Sequence, residues 1–436
     1  MKIQSMLSSS MRGCVAAALL LLPAVTRADW AAYRGPNFDG ISAETGIAKK
    51  WPASGPKVQW KIPTPLGFSS FTVANGRAYT IVTREVQGAP QETVVALDAN
   101  TGKELWSFPI GIAKYDGGGD SGAPDNKGGD GPRSTPTIDG GKLYALSCNL
   151  ALVCVDAAKG TRLWARNILI EHGGEMIKWK NAASPVIEGN LLFMAGGGPG
   201  QALLALDKNT GKTVWKSQDD KMTHSTPTVA TILGVRQVIF FTQKGLVSVT
   251  PAAGAVLWRY DFPFKVSTAI SPVVCGDIVY CSAGYGVGGG AVKLAKSGSA
   301  FTATEIYRTT GDKTIANHWS TPVFKDGYLY GMFQFKEYGA GPMKCVEAAT
   351  GKVVWEKPGF GPGNVTLVDG HLLALSDAGH LVLVEATPKA YTEVSRAKVL
   401  TGKCWSTPIF SGGRVYARST KEGVCVDVSS KVSTAK

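Results

Sequence analysis

The chain has 436 residues, of which 44% are hydrophobic and 18% are charged, and this balance excludes an intrinsically disordered protein. Its 53 glycines and 23 prolines favour many tight turns over long helices, because both residue types interrupt helix interiors. The formal net charge of +13 favours the binding of acidic partners but does not identify one. Length alone is compatible with two or three domains or with one large all-β body.

Residues 1–28 have the pattern of a secretory signal peptide. Lys2 and Arg12 precede an apolar run over residues 15–25, and Ala28 supplies a small residue for cleavage. The run has about half of the roughly 20 residues that a membrane-spanning helix needs, and no later segment is long enough. Cys14 precedes the apolar run, whereas a lipoprotein cysteine follows it. We therefore expect a periplasmic or secreted protein, cleaved near Ala28, with no membrane span.

A unit of about 40 to 60 residues recurs along the chain, which is the range of propeller blades. One signature, Leu-Asp-x-x-Thr-Gly-Lys-x-x-Trp, closes several copies. The closing residues are Trp106, Trp215 and Trp355, with weaker copies at Trp164, Trp258 and Tyr307. A second signature, Ser-Thr-Pro, starts at Ser134, Ser225, Ser320 and Ser406, and is shortened to Ser-Pro at Ser184 and Ser271.

Each copy has the pattern of four short β-strands. Runs rich in Val, Ile, Leu and Tyr alternate with Gly, Asn and Asp turns, and no stretch of helical period separates them. Asp98 and Gly102 suit a turn between the third and fourth strands, because the Asp side chain bonds its own backbone and the Gly accepts left-handed geometry. The recurrent proline suits the start of an innermost strand, whose inner edge has no partner.

The repeat occurs eight times. The first strands begin near Phe68, Arg133, Ala182, His224, Ala269, Trp319, Gly363 and Trp405. The last copy lacks a fourth strand, and residues 57–62 around Trp60 have the pattern of that missing strand. The sequence therefore predicts an all-β fold, an eight-bladed β-propeller of four-stranded blades closed by an N-terminal strand in the last blade. It spans 57–428 as one domain, after a lead-in at 29–56 and before a polar tail at 429–436.

Seven cysteines follow the signal, so at least one thiol has no partner within the chain. Cys275 and Cys281 flank a Gly-Asp turn and are candidates for a disulfide across a hairpin, and Cys148 and Cys154 are a similar pair. The alternative is that the cysteines are small buried hydrophobic residues. Ala96 occupies the repeat position of Cys154, which favours the alternative.

These repeats, with the opening residues 30–36 and the Gly-Pro-Arg-Ser-Thr-Pro run at 131–136, resemble the PQQ-like (pyrroloquinoline quinone repeat) β-propellers. The likeness is greatest to exported bacterial members related to the outer-membrane assembly factor BamB. The resemblance implies that the repeat tryptophans dock between blades. It also implies a non-catalytic, monomeric scaffold for protein interaction or envelope assembly, whose partners are envelope or secreted proteins bound through inter-blade loops.

The resemblance also implies an enzymatic alternative, a PQQ-dependent oxidoreductase acting on alcohols or sugars. Such enzymes bind PQQ near the ring axis with Ca²⁺ at the channel mouth, an Asp base and usually a disulfide between adjacent cysteines. This chain has no Cys-Cys pair and no Cys-x-x-Cys-His haem site, and it is shorter than those dehydrogenases. We therefore expect no cofactor, and keep PQQ with Ca²⁺ as the alternative.

A Gly-rich loop between the first two blades carries four carboxylates, Asp116, Asp120, Asp125 and Asp130. Oxygen ligands on a flexible backbone suit Ca²⁺, although the spacing matches no EF-hand. The alternative interpretation is a solvated loop, the usual role of Gly/Asp/Ser stretches.

Residues just before the innermost strands are expected around the channel mouth. Arg133, His224, Trp319 and Trp405 each lie three residues before a repeat proline, and His318 precedes Trp319. Two histidines beside tryptophan faces suit an anionic or aromatic group. The alternative is that the aromatic rings pack between blades and the histidines cap turns.

Other patterns of known chemistry are missing from the sequence. It contains no His-x-x-x-His pair, no Walker loop and no Gly-x-Ser-x-Gly elbow. Its Gly-rich runs stand where hairpin turns are expected, so a phosphate cradle is unsupported. An export signal and an even scatter of Lys and Arg argue against a nucleic-acid partner.

Overall fold

The computed structural model describes residues 29–121, 123–333 and 335–430. The predicted signal peptide and residues 431–436 of the predicted tail lie outside the described residues. The regular secondary structure of the described chain is β-strand, apart from one helix of four residues. No helix within it is long and apolar enough to cross a membrane.

Alternating apolar strands and glycine turns form eight four-stranded antiparallel sheets around one axis, as the repeat predicts. Two strands, β1 (Ile41–Ser42) and β2 (Lys57–Pro63), precede the first blade. From the axis outward, blade 1 contains β3 (Thr72–Ala74), β4 (Arg77–Val86), β5 (Ala89–Asp98) and β6 (Glu104–Ile112). Blade 2 contains β7 (Thr137–Asp139), β8 (Lys142–Leu146), β9 (Ala151–Asp156) and β10 (Arg162–Asn167), followed by helix α1 (Ile168–Glu171). Blade 3 contains β11 (Val186–Glu188), β12 (Leu191–Ala195), β13 (Leu203–Asp207) and β14 (Thr213–Ser217). Blade 4 contains β15 (Thr228–Ile232), β16 (Val235–Thr242), β17 (Gly245–Val249) and β18 (Val256–Asp261).

The second half of the ring has the same organisation. Blade 5 contains β19 (Val273–Cys275), β20 (Ile278–Ala283), β21 (Gly288–Ser297) and β22 (Ala300–Thr309). Blade 6 contains β23 (Val323–Lys325), β24 (Tyr328–Met332), β25 (Met343–Glu347) and β26 (Val353–Lys357). Blade 7 contains β27 (Asn364–Val368), β28 (His371–Leu375), β29 (His380–Glu385) and β30 (Glu393–Lys398). Blade 8 contains β31 (Ile409–Ser411), β32 (Arg414–Arg418) and β33 (Glu422–Asp427).

The N-terminal strand β2 completes the last blade, which confirms the predicted closure. It pairs antiparallel with β33, and Trp60 lies opposite Cys425 in the register. Because β2 covers the free edge of β33, the first and last parts of the chain are held in one sheet. The lead-in adds β1, which pairs in parallel with β27 of blade 7, a contact that the repeat pattern does not predict.

Apolar side chains pack between neighbouring blades. Leu146 of blade 2 and Leu204 of blade 3, for example, belong to one fully buried cluster. All seven cysteines of the described chain are buried and none forms a disulfide, and Cys281 lies opposite Gly290 rather than opposite Cys275. The cysteines therefore act as small core residues, in agreement with the second of the two interpretations.

Repeat tryptophans join five pairs of neighbouring blades, whereas the indole N–H of Trp258 donates to Gln237 within its own blade. The Trp60 indole N–H donates to the carbonyl of Ala99 at 3.1 Å, and its ring covers Gly102 of blade 1. Trp164 makes the same pair of contacts with Lys208 and Gly211 of blade 3. The same kind of bond runs from Trp106 to Ala157, from Trp215 to Pro251 and from Trp355 to Thr387. These rings are structural, as the resemblance implies.

The hydroxyl groups of the Ser-Thr-Pro elements join the blades around the axis. The amide of Thr135 donates to Ser184 Oγ at 2.9 Å, and the amide of Ser184 donates to Thr226 Oγ1 at 3.0 Å. At the ring closure, the amide of Thr407 donates to Ser70 Oγ at 2.9 Å. The strand-entry amides are buried, so each needs a partner, and the neighbouring hydroxyl supplies it.

Candidate functional site

The segments that lead into the innermost strands converge at one end of the axis, together with loops between second and third strands. They enclose a pocket of about 170 Å³. All five residues predicted at the channel mouth, Arg133, His224, His318, Trp319 and Trp405, line this pocket. Four of them share one position in the repeat and His318 is next to that position, which explains their proximity. Their role in binding remains a prediction.

The lead-in segment crosses the channel. Trp30 exchanges two backbone hydrogen bonds with Val73 of blade 1, at 2.8 and 2.9 Å. Ten residues later the carbonyl of Gly40 accepts a bond from the amide of Leu367 in blade 7. Between these anchors lies Tyr33, which lines the pocket. The lead-in therefore supplies part of the pocket wall in addition to closing the last blade.

Trp405 is the centre of a stack of aromatic rings on one side of the pocket. Its ring stacks on Phe68 with centroids 4.8 Å apart, on Trp319 at 4.7 Å and on Tyr338 at 5.7 Å. The Trp319 indole N–H donates to the carbonyl of Pro362 at 3.0 Å. These contacts fix the orientation of the rings and leave the pocket with a rigid, flat wall.

A second aromatic pair links loops from distant blades. Trp179, which precedes blade 3, stacks on Tyr285 of blade 5 with centroids 5.7 Å apart. Both residues line the pocket and have positive φ, 66° and 62°, as do the lining residues Lys127 and Lys336. Bulky residues rarely adopt this conformation, and strained backbone of this kind clusters at functional sites.

His224 is held by hydrogen bonds on both ring nitrogens. Its Nε2 contacts the carbonyl of Lys178 at 2.9 Å, so Nε2 carries the proton, and Nδ1 accepts from Ser267 Oγ at 2.7 Å. Burial, with a smaller contribution from the nearby Arg133 charge, lowers the pKa of His224 to about 4. A neutral ring with both nitrogens occupied has an architectural role in the pocket wall.

His318 differs from His224 in having a polar atom without a partner. Its Nδ1 is buried and makes no hydrogen bond in the described chain. The ring is surrounded by Tyr285, Trp319 and Phe335, all in edge-on contact. Burial lowers the pKa of His318 well below its ordinary value, and the His224 ring contributes to the shift. His318 is therefore neutral at physiological pH.

Arg133 is directed into the wall of the pocket. Its guanidinium donates to the carbonyls of Trp179, Gly128 and Gly129 at 2.8 to 3.0 Å. Burial lowers its pKa, and the electrostatic effect of the neighbouring Tyr115 and Glu92 opposes the shift. Arg133 thus holds together two of the loops that form the mouth, and its positive charge lies beside the pocket.

The four carboxylates of the Gly-rich loop do not converge. Asp116 accepts from the amide of Trp179 at 2.6 Å, and Asp120 is exposed. Asp130 is buried and forms an ion pair with Lys403 of blade 8, whereas Asp125 lines the pocket with a buried Oδ1 that has no partner. The described residues contain no group of three His, Cys, Asp or Glu placed to hold a metal ion.

The sequence did not indicate several residues of the pocket. Phe68 shares the strand-entry position of Arg133, His224, Trp319 and Trp405, so the repeat could have identified it. Trp179, Tyr285 and Tyr338 come from connections that differ in length between blades, and no repeat signal marks them. Tyr33 belongs to the opening motif, whose place in the channel depends on long-range contacts.

The fold and this pocket define a class: an eight-bladed propeller in which repeat tryptophans join five pairs of neighbouring blades, with an aromatic pocket at one end of the axis. The chain belongs to the family described as outer membrane protein assembly factor BamB, which matches residues 90–331. No curated protein to which the chain was compared matches it.

Solved structures share the fold at low sequence identity. BamB from Moraxella catarrhalis is 14% identical with a TM-score of 0.56, over 85% of this chain and 99% of that chain. The quinohemoprotein alcohol dehydrogenase from Comamonas testosteroni is 13% identical with a TM-score of 0.65, over 94% of this chain and 82% of that chain. The computationally designed Ika8 protein is 11% identical with a TM-score of 0.56, over 86% of this chain and 100% of that chain. At these identities the likeness shows the fold alone.

The lining of the pocket differs from the donor set that a calcium-bound quinone requires. Ca²⁺ takes six to eight oxygen ligands, usually with several carboxylates. Asp125 is the one carboxylate among the described lining residues, beside the cationic side chains of Lys127, Arg133 and Lys336. Pockets for drug-sized ligands are roughly 300–1,000 Å³, well above the 170 Å³ here. The residues present therefore do not fit PQQ with Ca²⁺.

Proposed function

We propose that this protein is an exported, monomeric, non-catalytic scaffold that binds envelope or secreted proteins. The binding face is the one on which the inter-blade loops surround the pocket. The observation that carries the proposal is the composition of that face, where aromatic rings and lysines surround one carboxylate. Aromatic residues are enriched at the centres of protein interfaces, where they supply large contact area at low entropic cost.

The polar groups of the pocket support binding rather than proton transfer. A general base needs a pKa near the working pH and a free position toward its substrate. Both nitrogens of His224 are occupied, and the pKa values of His224 and His318 lie below the physiological range. Arg133 is bonded to three carbonyls. The pocket is thus built as a rigid recognition surface.

Site-directed photocrosslinking in envelope extracts tests this function. A diazirine analogue of lysine replaces exposed Lys336 at the pocket mouth or, as a matched control, exposed Lys103 in the turn between β5 and β6, at the opposite end of its blade. We expect discrete protein adducts from position 336 and not from 103. Equal labelling at both positions, or none at 336, would contradict the proposal.

The quinoprotein alternative is tested by thermal unfolding with PQQ and Ca²⁺, followed by absorbance. A ligand that binds only the folded state raises the unfolding temperature in a saturable way. We expect no saturable shift and no spectrum of bound quinone. A saturable shift with a bound-quinone spectrum would contradict the scaffold function and assign the protein as a PQQ-dependent oxidoreductase.

A further inference from the structure

The pocket has room for one aromatic ring. A cavity of about 150 Å³ accepts benzene, and the volume here is about 170 Å³. Its walls are flat, because the Trp405 stack forms one side and the Trp179–Tyr285 pair forms another. Aromatic rings pack on such walls in stacked or edge-on geometry.

The mouth of the pocket is cationic. Lys336 lines the pocket and lies 5.2 Å from the rings of both Tyr285 and Phe335, and Lys178, outside the lining, lies 5.1 Å from the ring of the lining residue Trp179. Neither lysine forms an ion pair with a described carboxylate, and both are exposed. They are held over rings by cation–π attraction, which leaves their charge available to an anion that approaches the mouth.

Polar atoms beside the pocket lack partners. These are His318 Nδ1, Tyr338 Oη and Asp125 Oδ1, none of which has a hydrogen bond in the described chain. A buried polar atom without a partner costs roughly 1–3 kcal/mol, so a bound group with its own hydroxyl would relieve part of this cost. Benzene alone cannot do so, whereas a phenol both donates and accepts a hydrogen bond.

We propose that the pocket binds the side chain of a tyrosine that lies within an acidic segment of a partner protein. The ring occupies the aromatic cavity, the phenol hydroxyl reaches the unpartnered polar atoms, and flanking carboxylates meet Lys178 and Lys336. The net charge of +13 on the chain is complementary to such a segment. This inference rests on the proposed scaffold function and names the chemistry that the scaffold recognises.

The test is fluorescence anisotropy of labelled nonapeptides with the purified protein. The reference peptide has one central Tyr among Asp and Glu residues. We expect replacement of this Tyr by Ala to weaken binding by roughly tenfold or more, and replacement by Phe to have a smaller effect. Replacement of the acidic residues by Asn and Gln should weaken binding and remove its dependence on salt.

Variants of the protein assign the contacts. Lys336→Gln is expected to weaken binding of the acidic peptide severalfold while leaving the affinity for its neutral analogue unchanged. Lys103→Gln, at the opposite end of blade 1, should change neither affinity. Tyr338→Phe should reduce the difference between the Tyr and Phe peptides. Equal binding of the Tyr and Ala peptides, or equal effects of the two lysine variants, would overturn the proposal.

Free 4-hydroxyphenylacetate distinguishes a small aromatic acid from a protein segment. We expect it to compete with the peptide only weakly, because it lacks the flanking carboxylates. Competition at the affinity of the full peptide would assign the pocket to a free aromatic acid and overturn the proposal. Crosslinking at position 336 without a preference for tyrosine would overturn this inference alone, whereas failure of that crosslinking would overturn the scaffold itself.

Discussion

The guanidinium of Arg34 donates hydrogen bonds to the backbone carbonyls of Thr321, at 3.0 Å, and Pro322, at 2.8 Å, which lie 287 and 288 positions later in the chain. A third bond at 2.7 Å reaches the carbonyl of Asp39. Arg34 is 4% exposed, and burial lowers its pKa. This one side chain ties the lead-in, which carries Tyr33 into the pocket, to the entry of blade 6.

We expect Arg34→Met to destabilise the protein by about 3–5 kcal/mol, because three buried carbonyls lose their donor. Arg34→Lys should recover part of the loss, since an ammonium supplies donors but lacks the planar fork of the guanidinium. Urea unfolding followed by tryptophan fluorescence measures both variants. A loss below about 0.5 kcal/mol in Arg34→Met, the range of ordinary surface substitutions, would contradict this role.

Because Trp106 packs on Gly160, a methyl group added at Gly160 is expected to lower the free energy of unfolding more than one added at an open turn. Gly160 has φ +71°, and a Cβ there would lie 2.6 Å from the indole ring. Gly76 has a similar φ of +74° with nothing within 4 Å of its Cβ position, so it is a matched control for backbone strain. Gly76→Ala is expected to lower the free energy of unfolding by about 1 kcal/mol, and Gly160→Ala by about 2–4 kcal/mol. Equal losses in chemical unfolding would show that the tryptophan docking is unimportant.

The hydroxyl of Thr135 is predicted to contribute more to the stability of the fold than its methyl group does. The amide of Ser70 donates to Thr135 Oγ1 at 3.0 Å, which links blades 1 and 2 near the pocket. Thr135→Val keeps the shape of the side chain but leaves that buried amide without an acceptor, at a cost of about 1–3 kcal/mol. Thr135→Ser keeps the acceptor and is expected to cost less. Thermal unfolding compares the two, and the reverse order would contradict the hydrogen-bonded ring of hydroxyls.

Stability is predicted to fall on acidification. The pKa of His224 is about 4 in the folded protein, below the ordinary value of 6.5. The unfolded chain therefore binds more protons between pH 6.5 and 4, and stability falls as the pH is lowered through this range. Two and a half pKa units correspond to about 3 kcal/mol at full titration. His224→Gln should flatten this dependence in urea unfolding from pH 7 to 4.5. An unchanged slope would assign the loss to other groups, of which His318 is the first candidate.

Local sequence patterns are sufficient to predict the blades and the closure of the ring. Hydrophobic alternation and glycine turns specify each four-stranded unit, because strands and tight turns depend on neighbouring residues. The strand pattern around Trp60 identified the missing strand of the last blade. Common repeat positions also brought together residues such as His224, Trp319 and Trp405, since equivalent positions in a closed ring face the same axis.

The composition of the pocket wall depends on contacts between distant parts of the chain. Trp179 and Tyr285 meet because loops of different length reach the axis from separate blades, and such loops carry no periodic signal. The partners of His224 occupy both its nitrogens, whereas His318 keeps one free, although both residues are histidines at the channel mouth. Tyr33 reaches the pocket through the bond between Arg34 and Thr321, which joins residues 287 positions apart. Contacts of this range depend on the packing of the whole ring, so no local pattern could specify them.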